Sequence, residues 1–133
     1  MRPDLKHETL TEQIIKVFYK VYNILGYGFL EKVYENALAI ELRRLGWSVL
    51  QQAPIKVYYD GVEVGDYYAD LIVDPAVIIE VKAAEALAPA HEAQLINYLK
   101  ATEIEVGLLL NFGPKPEFRR KVFSNERKLL DRG

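Results

Sequence analysis

The chain contains no cysteine, which excludes both a disulfide framework and a metal site built on thiolates. It also lacks any apolar run approaching the about 18 residues needed to span a membrane. Residues 1–8 are polar and carry no apolar stretch of signal-peptide length. We therefore expect a soluble, cytoplasmic protein with no membrane partner. A strong positive charge is missing too, because the formal net charge is −2, and this argues against binding nucleic acid through overall charge.

What is present is typical of a globular domain. Half of the 133 residues are hydrophobic and 27% are charged, so the chain is long and apolar enough to bury a real core. There is no internal repeat and no low-complexity segment. We expect a single domain over residues 1–133, with residues 1–8 and 124–133 frayed.

The central stretch, residues 66–83, has the pattern of a β-hairpin that carries charges. Two β-branched runs, 71–73 and 77–79, flank a turn signal at residues 74–76, where proline fixes φ and aspartate can bond its own backbone. With a three-residue loop, opposed residues have numbers that sum to 150, so Asp70 faces Glu80. Side chains alternate along a strand, and Glu80 and Lys82 therefore share a face, which Asp70 joins from the neighbouring strand.

Charges in such an apolar hairpin need a partner or a metal ion. Two carboxylates from adjacent strands suit a hard divalent cation such as Mg²⁺, and a nearby lysine can orient a water or neutralise charge on a phosphate. The alternative is a salt-bridged, solvated face. The hydrophobic flanks of both strands and the presence of Asp70 favour a functional site at Asp70, Glu80 and Lys82.

The rest of the chain predicts helices packed on a mixed sheet. A Thr-x-x-Glu capping box at residues 9–12 begins a first amphipathic helix that ends at Gly26, and Gly46 closes a second helix. A helix between two strands of one sheet implies that those strands are parallel. Beside the central hairpin, the predicted elements are helices at 9–25, 31–45 and 90–102, and strands at 49–52, 55–59, 62–73 and 105–112.

Two features near the C-terminus are left open by the residues alone. Phe118, Val122 and Phe123 alternate with cations, which fits either a final strand or a short helix. The cations cluster there and could hold a phosphate backbone, although a solvated surface is the commoner role of such a cluster. They are Arg119, Arg120, Lys121, Arg127, Lys128 and Arg132.

At the central hairpin the chain resembles the PD-(D/E)xK nuclease superfamily, whose signature is an aspartate, a spacer and then Glu-x-Lys. More narrowly, Gly28-Phe29-Leu30-Glu31-Lys32-Val33-Tyr34 is similar to the naming motif of its GxxExxY group. The resemblance extends from the first helix to about Phe123. One departure is that Ala69, and not proline, precedes Asp70.

This resemblance implies a restriction-endonuclease-like α/β (α+β-like) core, with an antiparallel meander in a mixed sheet and about three helices. It implies a nuclease that acts on nucleic acid with Mg²⁺ or Mn²⁺, and we rank DNA ahead of RNA as its substrate. The metal would be held by Glu31, Asp70, Glu80 and the carbonyl of Val81, and Glu35 is an alternative to Glu31. Lys82 would activate the attacking water and Gln94 would help to position it.

Two other functions remain open at this point. One is a non-catalytic interaction module with the nuclease-like fold, which the small size and the acidic balance favour. The other is a nucleotide or RNA-processing hydrolase that uses the same metal site. A symmetric homodimer is expected in addition, because a 133-residue nuclease core without a separate clamp would gain reach and affinity from a second copy.

Overall fold

The computed structural model describes residues 6–129, which form three helices and five strands. In chain order these are α1 (Glu8–Leu25), α2 (Glu31–Arg44), β1 (Val49–Tyr59), β2 (Val62–Val73), β3 (Val77–Lys82), α3 (Pro89–Ala101), β4 (Val106–Phe112) and β5 (Pro116–Val122). A 3-10 turn follows at Asn125–Arg127. Within residues 6–129, no helix has the length and apolar character to cross a membrane.

The five strands form one mixed sheet in the order β1-β2-β3-β4-β5. The meander of β1, β2 and β3 is antiparallel, β4 runs parallel to β3, and β5 is antiparallel to β4. The parallel pair follows from the connection through α3, as the sequence predicts. These findings confirm the predicted fold class, and they settle the final segment as a strand.

Helices cover both faces of the sheet. Helices α1 and α2 pack over one face and enclose the larger cluster of buried apolar residues, while α3 packs over the other face. Strand β4 lies between them with all seven residues buried, which explains its almost uninterrupted apolar sequence.

The helix boundaries agree with the sequence except at the start of α1. The capping box predicted at Thr9 is wrong, because the residue before the helix is His7, with φ at 52°, and no side chain caps the helix. Thr11 instead directs its hydroxyl to the carbonyls of His7 and Glu8, at 3.1 and 3.0 Å. Gly26 ends the helix as predicted, with φ at 69°.

Strand β1 also differs from prediction, since it is one strand and not two short runs separated at Pro54. It lies at the edge of the sheet and pairs on one side only, so the missing N–H of a proline is tolerated. A β-bulge lies further along the strand, where the register with β2 shifts between Val57, which pairs with Gly65, and Tyr58.

In a second irregularity, the two faces of the β1–β2 hairpin exchange sides near its middle. Residues an even number apart on a strand should share a face, yet Ala69 packs under α3 whereas Leu71 packs under α1 and α2. On β1, Val49 and Ile55 are divided in the same way. The reversal occurs where Gln52 and Asp70 face each other, a position skipped in the pairing register.

The segment after β5 is anchored to the end of α3. Lys128 donates to the carbonyls of Thr102 and Ile104 at 2.8 and 2.7 Å, and the N–H of Asn125 donates to Glu105 at 2.7 Å. The remainder of the two stretches expected to fray, residues 1–5 and 130–133, lies outside the described residues.

Candidate functional site

The predicted pairing of Asp70 with Glu80 marks the point at which β2 separates from β3. The register is Val73 with Val77, Ile72 with Ile78 and Leu71 with Ile79, and these numbers sum to 150 as predicted. The next pair in that register would be Asp70 with Glu80, but the ladder stops before it. The carboxylates therefore stand at a break in the sheet.

At this break each carboxylate replaces a missing backbone partner. The N–H of Asp70 donates to Glu80 Oε2 at 2.8 Å, and the N–H of Val81 donates to Asp70 Oδ2 at 2.7 Å. Since N–H groups away from water need acceptors, these two bonds hold both carboxylate side chains in place. The acidic pair is thus part of the backbone bonding of the hairpin.

The second oxygen of each carboxylate is much less engaged. Asp70 Oδ1 accepts one bond, from Gln52 Nε2 at 3.3 Å. Glu80 Oε1 accepts none from the described part of the chain, residues 6–129, although only 4% of Glu80 is exposed. Each carboxylate consequently keeps one oxygen for a ligand.

Burial makes the negative charge on this pair costly. It raises the pKa of Glu80 from 4.5 to about 8, and the neighbouring Asp70 carboxylate adds to the shift. The pKa of Asp70 is raised as well, first by burial, while the N–H of Val81 acts in the opposite direction. A bound cation would relieve this cost.

Lys82 lies on the same face as Glu80 and is partly buried. Its ammonium is 3.4 Å from Oε1 of Gln94, one turn before Tyr98 on α3. Burial raises the pKa of Tyr98 to about 12, and the negative charges of Glu80 and Asp70 add to the shift. The Tyr98 hydroxyl therefore lies within the electrostatic field of the two carboxylates. The structure therefore brings Asp70, Glu80, Lys82 and Gln94 together, as the sequence predicts.

The two acidic residues of α2 have different environments. Glu31 is exposed in the first turn, and its charge makes a smaller contribution to the raised pKa of Glu80. Glu35 is 3% exposed and accepts bonds from Lys32 at 3.1 Å, Gln51 at 2.8 Å and Gln52 at 2.7 Å. Hydrogen bonds thus join Glu35, not Glu31, to Asp70.

Gln52 makes that connection from a left-handed backbone position. Its φ is 52°, which a residue with a Cβ adopts only when its surroundings favour it. The amide nitrogen then reaches both Glu35 and Asp70. Residue-by-residue reasoning missed Gln52, and its only signal in the sequence is the loss of apolar alternation across residues 49–55.

Asn111 is a second residue that sequence reasoning missed. It is fully buried on β4 opposite Lys82, and its side-chain amide exchanges two hydrogen bonds with the backbone of Ala84, at 2.9 and 3.0 Å. Nearby, a Cβ on Gly113 would lie 2.1 Å from the Ala84 carbonyl. Asn111 therefore fixes the path of the chain directly after Lys82.

Tyr34, the last residue of the Gly-x-x-Glu-x-x-Tyr motif, supports the loop before α2. It is fully buried against Phe112, with ring centroids 4.2 Å apart. Its hydroxyl donates to the Gly26 carbonyl at 2.7 Å and accepts from the N–H of Phe29 at 3.2 Å. The tyrosine thus positions the loop that precedes Glu31.

Replacing Tyr34 by phenylalanine should lower the free energy of unfolding by about 1–3 kcal/mol, because two partly buried backbone groups lose their partner. Urea denaturation measures the change. Tyr19→Phe is the matched control, since Tyr19 is partly exposed on α1 and its hydroxyl makes no bond within residues 6–129. Equal losses in the two variants would contradict the assigned role of Tyr34.

The donor set fits a hard cation held by two carboxylates. Within residues 6–129 no three His, Cys, Asp or Glu side chains converge as a metal-binding group, so Glu31 does not join Asp70 and Glu80 directly. Mg²⁺ commonly uses one or two protein carboxylates and keeps several waters, through which Glu31 could act. At Val81 the backbone N–H donates to Asp70, and the predicted role of its carbonyl as a metal ligand stays a prediction.

The basic residues near the C-terminus take part in internal contacts. Lys121 pairs with Glu92 at 2.6 Å, Arg119 lies 3.5 Å from Glu117, and Arg127 stacks on the Phe123 ring. Arg132 lies outside the described residues. These contacts support the structural interpretation of the cluster.

Comparison with known proteins gives a family match and a likeness to solved structures. A family model described as the PD-(D/E)XK nuclease superfamily matches residues 8–121. No curated protein matches the sequence. A solved structure titled "Crystal structure of SSO0001" is 17% identical, with a TM-score of 0.46, over 89% of this chain and 60% of that one. This chain therefore spans 60% of the length of that protein.

Proposed function

The chain belongs to the PD-(D/E)XK nuclease superfamily, and from this premise we propose that it hydrolyses phosphodiester bonds with a divalent metal held by Asp70 and Glu80. The observation that carries the proposal is the break between β2 and β3. The buried carboxylate of Glu80 and the partly buried one of Asp70 are fixed there by backbone N–H groups, each with an oxygen left for a ligand, beside the ammonium of Lys82.

Mg²⁺ or Mn²⁺ at this position would supply a Lewis acid for the phosphate and a water of lowered pKa. The protein contributes a rigid pair of ligands, because Asp70 and Glu80 cannot rotate without losing the bonds to Val81 and Asp70 N–H. Glu31 would act through water, and the Val81 carbonyl is proposed as a further ligand.

Lys82 would orient the attacking water and neutralise the charge that develops on the phosphate. Gln94 holds the ammonium from α3 at 3.4 Å, which restricts the lysine to one side of the carboxylates. Glu35 contributes indirectly, since Gln52 links it to Asp70 Oδ1 and so orients the oxygen that faces the ligand.

The finer assignments are part of the same proposal. We place the chain, as one nuclease-like domain, in the GxxExxY group, a placement supported by the roles of Glu31 and Tyr34 at the start of α2. DNA is proposed ahead of RNA as substrate. We also propose a symmetric homodimer, which sedimentation velocity would detect at about twice the monomer mass.

Metal-dependent cleavage that requires Asp70 tests the proposal. Wild type should bind Mg²⁺ or Mn²⁺ in calorimetry and cut at least one member of a labelled DNA and RNA panel, with cleavage stopped by a chelator. Asp70→Asn should lose both properties because it loses a ligand and an anion. Asp66→Asn is the control, since Asp66 is exposed on the same strand and should behave as wild type.

The contrary result is a folded wild type that binds neither metal and cuts nothing on the panel. In that case catalysis would be abandoned, and the chain would be treated as a non-catalytic interaction module with a nuclease-like fold.

A further inference from the structure

A cavity of about 630 Å³ opens next to the candidate site. Three segments form its walls: residues 27–32 before and at the start of α2, residues 83–85 after β3, and residues 112–114 after β4. Glu31 lines the cavity, and Ala83 is the residue after Lys82. The cavity therefore lies directly beside the predicted catalytic groups and shares Glu31 with them.

Buried side chains hold each wall in place. Tyr34 bonds the backbone of the first segment at Gly26 and Phe29. Asn111 exchanges two bonds with Ala84 in the second. The Tyr22 hydroxyl lies 2.8 Å from the carbonyl of Gly113 in the third. The cavity is thus preformed, as ligand sites usually are.

Its lining combines exposed aromatic rings with carboxylates. Tyr27 is 63% exposed and makes no ring contact or side-chain hydrogen bond within residues 6–129, and Phe29 is also exposed. Both rings can therefore stack on a planar ligand. Glu31 and Glu85 add acceptors, which suit a ring that carries N–H donors.

The same lining is unsuited to a phosphate. Among its described residues Lys32 alone is cationic, and its ammonium is already 3.1 Å from both carboxylate oxygens of Glu35. Aromatic faces with acidic acceptors bind nucleobases, because every base has a π-face and adenine, cytosine and guanine carry amino donors.

We propose that this cavity binds one unpaired nucleobase of the strand being cut, so that the substrate is single-stranded or locally unpaired at the site. This inference rests on the proposed function, because it is the proposed nuclease activity that brings a nucleic-acid strand to the cavity. In an intact duplex both faces of a base are stacked and its pairing edge is covered, so a duplex could fill the cavity only by extruding a base, which costs stacking and pairing energy.

The test measures binding separately from cleavage. Glu80→Gln protein, which should not cut, is titrated into a short single strand containing 2-aminopurine and into the same strand paired with its complement. Fluorescence anisotropy reports affinity, and quenching of 2-aminopurine reports stacking. The single strand should bind more tightly than the duplex, with quenching.

Adding Tyr27→Ala should weaken single-strand binding by about 5- to 150-fold and remove the quenching, because one stacking contact is lost. Tyr59→Ala is the matched control, since Tyr59 is also exposed, at 74%, but lies at the far end of β1, outside this cavity. Circular dichroism would show that both variants remain folded.

The outcomes separate this inference from the proposed function. If wild type cuts nucleic acid but single strand and duplex bind alike, or Tyr27→Ala binds as well as Tyr59→Ala, the base-binding cavity is wrong and the nuclease stands. If Tyr27 is required for binding and quenching but wild type cuts nothing, the cavity stands and catalysis falls.

Discussion

Replacing Glu80 by glutamine is expected to abolish cleavage and, at the same time, to stabilise the metal-free protein at pH 8. The stabilisation follows from the pKa of Glu80, which burial raises from 4.5 to about 8 in the folded chain. Between these two values the folded state holds a proton that the unfolded state has released. The free energy of unfolding should therefore fall as pH rises across that window, by about 1.4 kcal/mol per pH unit.

Denaturant titrations of the metal-free protein at intervals from pH 5 to pH 9 measure this slope. Wild type should lose stability up to about pH 8 and then level off, whereas Glu80→Gln should lose much less. The raised pKa of Asp70 gives a contribution of the same sign, which both proteins share. A saturating divalent cation should flatten the slope of wild type, because it binds the ionised pair.

Glu92→Gln is the matched control, because Glu92 pairs with Lys121 and its pKa is lowered from the usual 4.5, so it titrates below the measured range and its loss should leave the slope between pH 5 and pH 9 unchanged. A wild-type stability that does not change between pH 5 and pH 8, or a slope that is as steep in Glu80→Gln as in wild type, would refute the buried, costly charge assigned to Glu80.

Replacing Lys82 by methionine should slow cleavage by about 10²- to 10³-fold, the usual loss when one group that stabilises transition-state charge is removed. Metal binding should persist, since the ammonium is not a ligand and both carboxylates keep their N–H partners. Single-turnover rates and calorimetric titration, measured on the same preparations, distinguish these two effects.

Lys56→Met is the control for loss of a positive charge, because Lys56 lies on β1 in an exposed pair with Glu63. It should cut at the wild-type rate. If Lys82→Met cuts normally, the lysine has no part in the chemistry. If it loses metal binding together with activity, the lysine has a structural role and not the one proposed.

The sequence was sufficient for the parts of the fold that depend on local pattern. A three-residue loop at Asp74-Pro75-Ala76 fixed the register of β2 and β3, and that register placed Asp70 opposite Glu80. The apolar run of β4 and the helix before it predicted the parallel pair. In each case neighbouring residues carried the information, through turn chemistry and period.

What the sequence did not predict depends on residues far apart in the chain. Gln52 adopts its left-handed conformation where it can reach Glu35 on α2 and Asp70 on β2. Asn111 is a polar residue in a buried strand, and its partner, Ala84, is 27 residues away in sequence. Asn111 leaves the local period unchanged, and the lost alternation around Gln52 marks an irregularity without showing its partners, so pattern alone could not show that these residues shape the site.

Two backbone hydrogen bonds of the hairpin are replaced by bonds to carboxylates, and this affects how the site would change during evolution. Substituting an apolar residue for Asp70 or Glu80 removes a proposed metal ligand and also leaves a backbone N–H without its acceptor. Selection for a folded chain would therefore retain the acidic pair even in a descendant that no longer cuts. The Lys82 side chain donates to no backbone group within residues 6–129 and has no such protection, so replacement of this lysine would be the sign that a descendant has lost catalysis.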